Sequence, residues 1–348
     1  MEIYNEIMRL FSDEINILYN LSYFENKLIV DSEFGLKIID DEEKMSFIEL
    51  DKHTIYLIID NKYYSHFWHY NLEVILHLQL YLNHFKNKIL MNEYHIKLIT
   101  RPDVMSKYFG NVYQILNEDQ IVFVEPSKCY KGTFFNFSRF GFGTTLQDDW
   151  PLPDISRYIK NNPESIYGKF CLSIYDNLIE ESNKRYKETE TFDKLWISRR
   201  NFDIKTYWHK RFITNLNYVA SEILKNGFKE IHFPIEDIYH QIHLVNNSNV
   251  IFSELGTSTV NIFFMKKGSI YITDYDPNTR AYNDYIKLIA NLRGVELLVY
   301  DKMINDDEVE KFYNLKKALE GEVDINFPYK FEDTEDFKFW FDNVLKRL

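Results

Sequence analysis

The chain has 348 residues, of which 45% are hydrophobic, so it can build two domain cores and is not an intrinsically disordered protein. Its net charge of −12 disfavours general nucleic-acid binding, because an acidic chain repels phosphate backbones. Its two cysteines are too few for a disulfide-stapled scaffold and fit a reducing compartment.

The N-terminal segment carries acidic residues and lacks both the basic start and the apolar run of a signal peptide. No stretch approaches the roughly 18 uncharged apolar residues of a membrane-spanning helix. We therefore expect a cytoplasmic protein, with contact to a membrane surface left open. The abundance of Ile, Asn, Lys and Tyr indicates an AT-rich genome of bacterial or viral origin.

The first half of the chain predicts a few strands and one long helix. Strands are predicted at 54–60, 95–100 and 120–125, and a helix over 64–88, where apolar residues repeat at helical spacing without Gly or Pro. Residues 132–154 mix glycine and proline with aromatic and acidic residues, which predicts a loop. Residues 155–190 are predicted to be helical, and a domain boundary is expected within 150–190.

The second half alternates strands with helices. Strands are predicted at 194–198, 229–233, 249–253, 269–273 and 295–300, and helices at 209–226, 236–246, 257–266 and 281–292. This alternation predicts βαβ units and a parallel sheet. Residues 333–347 are predicted to form a final amphipathic helix.

One strand end in this sheet has the residues of a phosphate-binding turn. The strand at 249–253 runs into a glycine and three hydroxyl residues that open a helix, Gly256, Thr257, Ser258 and Thr259. Open parallel sheets bind ligands at such strand ends, and the N–H groups and dipole of a helix start attract phosphate. An ordinary helix cap is the alternative explanation of the same residues.

A second strand end carries Ser198, Arg199 and Arg200. Arginine can fork onto a diphosphate, although a solvated basic pair is the commoner arrangement. Neither a P-loop nor a G-x-G-x-x-G turn is present, so a P-loop NTPase and a dinucleotide dehydrogenase are both unsupported.

Several short patterns occur in a fixed order through the second half. They are Leu195-Trp196-Ile197-Ser198-Arg199, Arg211, Asn215, Gly227-Phe228, Pro234, Glu236, Gln241-Ile242, Gly256, Asn261, Phe264-Met265 and Gly268-Ser269. Their order and spacing resemble glycosyltransferase family 61. The segment 67–73 is similar, more faintly, to a helix start of that family. The family's His-Gly-Ala pattern is altered, because Leu255 stands in place of its histidine and Thr257 in place of its alanine.

The resemblance implies an α/β fold of the GT-B type, with two Rossmann-like domains facing across a cleft. Residues 1–170 would hold the acceptor, 171–330 the nucleotide sugar, and 331–348 would form a helix crossing back onto the first domain. It also implies an inverting transfer from a UDP-sugar to a glycan hydroxyl, in surface-polysaccharide or glycoprotein-glycan assembly. No cofactor and no metal site are expected, although a divalent metal, the donor sugar, the acceptor and the oligomeric state stay open.

The resemblance also assigns roles to single residues. The donor-binding set is Ser198, Arg199, Arg211, Gln241, Glu254, Gly256, Thr257, Ser258, Thr259 and Asn261. Arg199, with Arg211 second, is expected on the diphosphate, and Glu254 on ribose or sugar hydroxyls. The general base is expected to be His69 or Glu73, with Asp149 as a third candidate. Two alternatives remain, an inactive sugar-binding or scaffold relative, which the missing histidine suggests, and an epimerase on the same fold.

Overall fold

The computed structural model describes residues 19–32, 35–39, 46–58, 95–101, 118–125, 128–139, 166–200, 211–232, 237–275, 280–307 and 327–347. The chain divides into two compact units, Met1–Ile174 and Tyr175–Leu348. The predicted helix over 64–88 and the second part of the predicted loop, beyond residue 139, lie outside the described residues. No helix in the described part of the chain is long and apolar enough to span a membrane.

The first unit is built on a seven-stranded mixed sheet. Its strands are β1 (Tyr19–Ser32), β2 (Gly35–Ile39), β3 (Phe47–Glu49), β4 (Thr54–Ile58), β5 (His95–Thr100), β6 (Ile121–Phe123) and β7 (Cys129–Arg139). They lie in the order β2-β1-β7-β4-β5-β6, with β3 paired to β7. The strands β7, β4, β5 and β6 are parallel, whereas β1 and β2 extend the sheet in antiparallel fashion. Every residue of β4 is buried, as expected for an inner parallel strand.

The loop predicted over 132–154 is wrong for its described part, because β7 continues to Arg139. The glycine that suggested a turn has a packing role: a Cβ on Gly132 would lie 3.2 Å from the Leu50 side chain. The aromatic residue Phe134 is fully buried and packs in the core with Tyr56. Strand β7 lies between β1 and β4, so its backbone is paired on both sides. These tertiary contacts outweigh the loop-like composition of its residues.

The second unit contains a five-stranded parallel sheet and a separate sheet of three strands. Its strands are β8 (Lys194–Ile197), β9 (Arg211–Ile213), β10 (Lys229–Ile231), β11 (Val250–Ser253), β12 (Ile270–Asp274), β13 (Glu296–Tyr300), β14 (Met303–Asn305) and β15 (Phe327–Phe331). Helix α1 (Ile166–Arg185) begins in the first unit and ends in the second. The other described α-helices belong to the second unit and are α2 (Asn217–Lys225), α3 (Ile238–Asn246), α4 (Arg280–Arg293) and α5 (Thr334–Leu345). Two 3₁₀ helices cover Glu118–Gln120 and Thr257–Phe264.

The five-stranded sheet has the order β10-β8-β11-β12-β13. Numbered along the chain, its strands therefore lie 2-1-3-4-5, which is one of the two common orders of doubly wound α/β folds. All neighbouring pairs in it are parallel, as the alternation of strands and helices predicted. The strand order reverses between β8 and β11, and ligands of such sheets bind in the crevice at that reversal.

The prediction of one helix over 209–226 is wrong in its first part. Residues Arg211–Ile213 form β9, which pairs with β15, and only Asn217–Lys225 are helical. The side chain of Asn215 explains the difference, since it donates to the Phe331 carbonyl and accepts from the Phe331 N–H, both at 3.0 Å. These contacts join segments 116 residues apart, which a local sequence pattern does not encode.

The final helix, α5, begins where the Asp333 carboxylate accepts hydrogen bonds from the N–H groups of Glu335 and Asp336. Its buried residues Phe337, Phe341 and Val344 pack into the core of the second unit. The helix therefore contributes its apolar face to the core of its own unit.

Candidate functional site

The two predicted strand ends meet at the reversal of the strand order. Arg199 follows β8, and Gly256 follows β11, its neighbour in the sheet. The Arg199 Nη1 donates a hydrogen bond to the Leu255 carbonyl at 3.1 Å. A Cβ on Gly256 would lie 1.8 Å from Arg199 Nη2, so only glycine leaves room for the guanidinium. Arg199 and the Gly256 turn therefore form a single site.

The Arg199 side chain is partly accessible to solvent. It is half-buried, whereas Leu255 and Gly256 are buried beneath it. None of the carboxylates that the structure describes forms an ion pair with Arg199. Its neighbour Arg200 is neutralised instead, because Glu230 accepts from its Nη2 at 2.5 Å and from its Nε at 3.1 Å. A guanidinium that no described carboxylate pairs, beside the start of a helix, is suited to binding an anion.

Glu254 lies below this surface rather than on it. Its side chain is 2% exposed, and both carboxylate oxygens are engaged. Oε1 accepts from the Trp196 indole N–H and Oε2 from the Arg199 backbone N–H, each at 3.0 Å. These contacts tie the end of β8 to the end of β11. Glu254 therefore holds the site together, and its contact with ribose or sugar hydroxyls stays a prediction.

The burial of Glu254 also changes its acid strength. Loss of hydration raises the pKa of this carboxyl to about 7, and the nearby charge of Asp274 adds to that rise. The positive charge of Arg199 and the hydrogen bond from Trp196 act in the opposite direction. The Glu254 carboxyl therefore changes its charge near neutral pH. It does so next to Arg199, which no described carboxylate pairs.

The hydroxyl residues after Gly256 bind the turn itself. Thr259 Oγ1 donates to the Gly256 carbonyl at 2.6 Å, and the Ser258 hydroxyl lies 2.8 Å from that of Ser253. Both side chains are buried. Of the two roles considered for these hydroxyls, the contacts favour the ordinary role of shaping the start of the helix. For Thr257 only the backbone belongs to the described atoms.

Gln241 and Asn261 support the same turn from behind. Gln241 Nε2 donates to Asn261 Oδ1 at 2.9 Å, and Asn261 Nδ2 donates to the Ser258 carbonyl at 2.7 Å. Both side chains are almost completely buried. These contacts shape the turn, and donor binding by either residue stays a prediction.

Of the remaining predicted residues, Ser198 lies at this edge, Arg211 lies in the three-stranded sheet, and the other three are outside the described part. Arg211 is the first residue of β9, in the three-stranded sheet, and its side chain is not among the described atoms. His69, Glu73 and Asp149 lie outside the described residues. Ser198 is buried, and its hydroxyl accepts from the Arg200 N–H at 3.1 Å, which fixes the chain where it leaves β8.

A family model describes this chain over more than half of its length. The model for glycosyltransferase 61 matches residues 53–272. The chain belongs to glycosyltransferase family 61. The match to the family runs from the residue before β4 into β12, so it includes the Arg199 and Gly256 strand ends. No curated protein sequence matches the chain.

Family membership raises the question of which side chain stands at position 255 of the turn. Leu255, at which the sequence pattern places the histidine of the family, is fully buried and offers no titratable group. Metal ligation is a separate matter: among the described residues no group of three or more His, Cys, Asp or Glu side chains is arranged to hold a metal ion.

Two residues that support the site were not functional candidates from the sequence. Trp196 donates to Glu254 at 3.0 Å, and Tyr329 donates at 2.7 Å to Asp274, which itself accepts from the Leu255 N–H at 2.8 Å. Neither residue gives a local signal, because Trp196 lies 58 residues from its partner and Tyr329 lies 55 residues from its partner, on a strand of another sheet.

Proposed function

We propose that the protein is an inverting glycosyltransferase that transfers a sugar from a UDP-sugar to a glycan hydroxyl. The observation that carries this proposal is the contact between the Arg199 guanidinium and the Gly256 turn at the reversal of the strand order. Membership of the glycosyltransferase 61 family supports the class of reaction. On this proposal the second unit binds the donor and the first unit binds the acceptor, as the GT-B fold implies.

The proposed reaction is a single displacement at the anomeric carbon. The bond from that carbon to the diphosphate oxygen breaks as the acceptor oxygen attacks from the opposite face. Charge therefore accumulates on the leaving diphosphate, and Arg199 together with the first N–H groups of the helix after Gly256 would stabilise it. This stabilisation needs no metal ion, although a metal could supply the same charge.

The acceptor hydroxyl must lose its proton as the new bond forms, which requires a general base. His69 or Glu73, with Asp149 as the third candidate, is proposed for this role from the sequence. Glu254 is not proposed as the base, because both of its oxygens are hydrogen-bonded beneath the surface. The acceptor is proposed to belong to a surface polysaccharide or a glycoprotein glycan, assembled in the cytoplasm or at a membrane surface.

The decisive experiment removes the Arg199 guanidinium and follows both binding and transfer. Nucleotide binding is measured by calorimetry with UDP, GDP, CMP and dTDP, and transfer with the sugar derivatives of the nucleotide that binds. Arg199→Ala should weaken UDP binding and reduce turnover by about 10²-fold or more, because it removes a charged donor aimed at developing charge. Arg199→Lys should recover part of the loss, since the charge returns without the fork.

Arg200→Ala is the matched control, because it truncates the adjacent arginine, whose charge is already paired with Glu230. This variant should lose stability but retain UDP affinity. Equal effects of the two arginine variants on UDP affinity, or full activity of Arg199→Ala, would overturn the proposed site.

A sugar-binding relative without transferase activity is the second candidate. It is favoured by one observation, the buried and chemically inert Leu255 where the family pattern has a histidine. Binding of a UDP-sugar without hydrolysis or transfer to any glycan acceptor would establish it. An epimerase on the same fold would instead change the donor sugar in the absence of an acceptor, and product analysis would reveal that change.

A further inference from the structure

Both backbone polar groups of Leu255, the residue whose carbonyl meets Arg199, are hydrogen-bonded to charged side chains. The Leu255 carbonyl accepts from the Arg199 guanidinium at 3.1 Å, and the Leu255 N–H donates to Asp274 Oδ1 at 2.8 Å. Asp274 is fully buried, at the end of β12. A backbone segment that is hydrogen-bonded to charged groups through both its N–H and its carbonyl has little freedom to rotate. The Asp274 carboxylate therefore helps to fix the direction of the Leu255 carbonyl.

The second carboxylate oxygen of Asp274 is hydrogen-bonded to a residue outside the five-stranded sheet. Tyr329 donates its hydroxyl to Asp274 Oδ2 at 2.7 Å, and its side chain is 1% exposed. Tyr329 belongs to β15, in the middle of the three-stranded sheet, where its backbone is paired with Ile213 and Asn305. Tyr329 therefore links this sheet to the candidate site through its buried hydroxyl.

We infer that Tyr329 is a positioning residue for the donor site. Through Asp274 it fixes the backbone of Leu255, and the Leu255 carbonyl in turn fixes the direction of the Arg199 guanidinium. The inference rests on the proposed function for its consequence in donor binding, but its structural part concerns the free protein. A buried carboxylate that loses one of its hydrogen-bond donors is held less firmly, because a part of its desolvation is no longer compensated. Movement of Asp274 would weaken its hydrogen bond from the Leu255 N–H and free the carbonyl that accepts from Arg199.

The test uses Tyr329→Phe, which removes only the hydroxyl, and Tyr300→Phe as the matched control. Tyr300 is also buried, and its hydroxyl donates to a different carboxylate, Asp336, at 3.0 Å, outside the Tyr329–Asp274–Leu255 relay. The first readout is the Nε–Hε NMR signal of Arg199 in the nucleotide-free protein, assigned by its loss in Arg199→Ala. The second readout is UDP affinity by calorimetry, measured in the wild type and in each variant.

We expect Tyr329→Phe to shift the Arg199 signal and to weaken UDP binding by about five- to tenfold, a part of what a lost hydrogen bond to a charged group can cost. Tyr300→Phe should leave both unchanged. In an Arg199→Ala background, Tyr329→Phe should not weaken UDP binding further, because the relay acts through that guanidinium. A merely structural role of Tyr329 would reduce affinity to the same extent in both backgrounds.

The outcomes separate this inference from the proposed function. An unchanged Arg199 signal in Tyr329→Phe, or equal shifts in the two tyrosine variants, overturns the inference whatever the protein binds. A shift of the Arg199 signal confined to Tyr329→Phe supports the relay. If the wild type then binds no nucleotide, the relay stands and the proposed function fails.

Discussion

Replacing Gly256 with alanine probes the contact on which the proposed site depends. The new Cβ would lie 1.8 Å from Arg199 Nη2 and 2.5 Å from its Cζ, where even 3.0 Å is rarely tolerated. The guanidinium must therefore retreat by about 1.2 Å, the difference between 3.0 and 1.8 Å. This movement breaks the hydrogen bond from Arg199 to the Leu255 carbonyl.

The cost has two physical parts. Loss of a hydrogen bond from a charged donor costs about 1.5–3 kcal/mol. Alanine at a φ of +156° adds backbone strain of about 1–3 kcal/mol. The free energy of unfolding should fall by about 2–5 kcal/mol in total, with overlap between the two parts. UDP affinity should fall by about tenfold or more, because each 1.4 kcal/mol lost from the binding free energy is a factor of ten.

Urea denaturation measures the stability of Gly256→Ala, and calorimetric titration with UDP measures its affinity. Gly227→Ala is the matched control, because Gly227 also has a positive φ, of +83°, but a Cβ there meets nothing within 4 Å. That control should lose only about 1–2 kcal/mol of stability and no UDP affinity. In an Arg199→Ala background the new Cβ no longer meets a guanidinium. Gly256→Ala should then lower the free energy of unfolding only by its backbone strain.

Two results would refute this reasoning. The first is a Gly256→Ala protein that binds UDP as tightly as the wild type. The second is strict additivity of Gly256→Ala and Arg199→Ala in stability, since residues in steric contact show coupling of about 0.5–3 kcal/mol.

Three further predictions concern single side chains. Because burial raises the pKa of Glu254 to about 7 from 4.5, the folded state keeps a proton that the unfolded chain has released, and stability falls by about 3 kcal/mol as pH rises through this range. Glu254→Gln should flatten that dependence in thermal melts, and an unchanged slope would contradict the burial argument. Asp237→Ala should cost about 1–2 kcal/mol of stability without changing UDP affinity, because its carboxylate caps α3 by accepting from the Tyr239 N–H at 2.8 Å. Glu73→Gln and His69→Ala, tested by single-turnover kinetics, should show a loss of about 10²–10⁴-fold in the variant that lacks the base, at unchanged UDP affinity; two fully active variants would exclude both residues.

Local patterns in the sequence were enough to predict the sheet of the second unit. Its inner strands are short apolar segments bounded by turn residues, and β8, β11 and β12 lie within one residue of their predicted limits. The same logic put Arg199 and Gly256 at the ends of two parallel strands, and hence at one edge of a sheet. The structure then made these two strands neighbours at the reversal of the order.

The errors arose where distant contacts outweigh local pattern. Residues Arg211–Ile213 have helical spacing, but their pairing with Phe327–Tyr329 makes them a strand. The glycine- and aromatic-rich start of the predicted loop became β7, because β1 and β4 pair with both of its edges. Backbone groups that find such partners lose little by leaving their preferred local conformation.

The sequence by itself determined which residues end the parallel strands and therefore which side chains could meet a ligand. Only the tertiary structure decided which of them face solvent: Arg199 remains accessible, whereas Glu254 and Asp274 are buried and hydrogen-bonded. Their partners Trp196 and Tyr329 are 58 and 55 residues away along the chain. Desolvation depends on every atom packed around a group, and those atoms come from segments whose proximity no local pattern specifies.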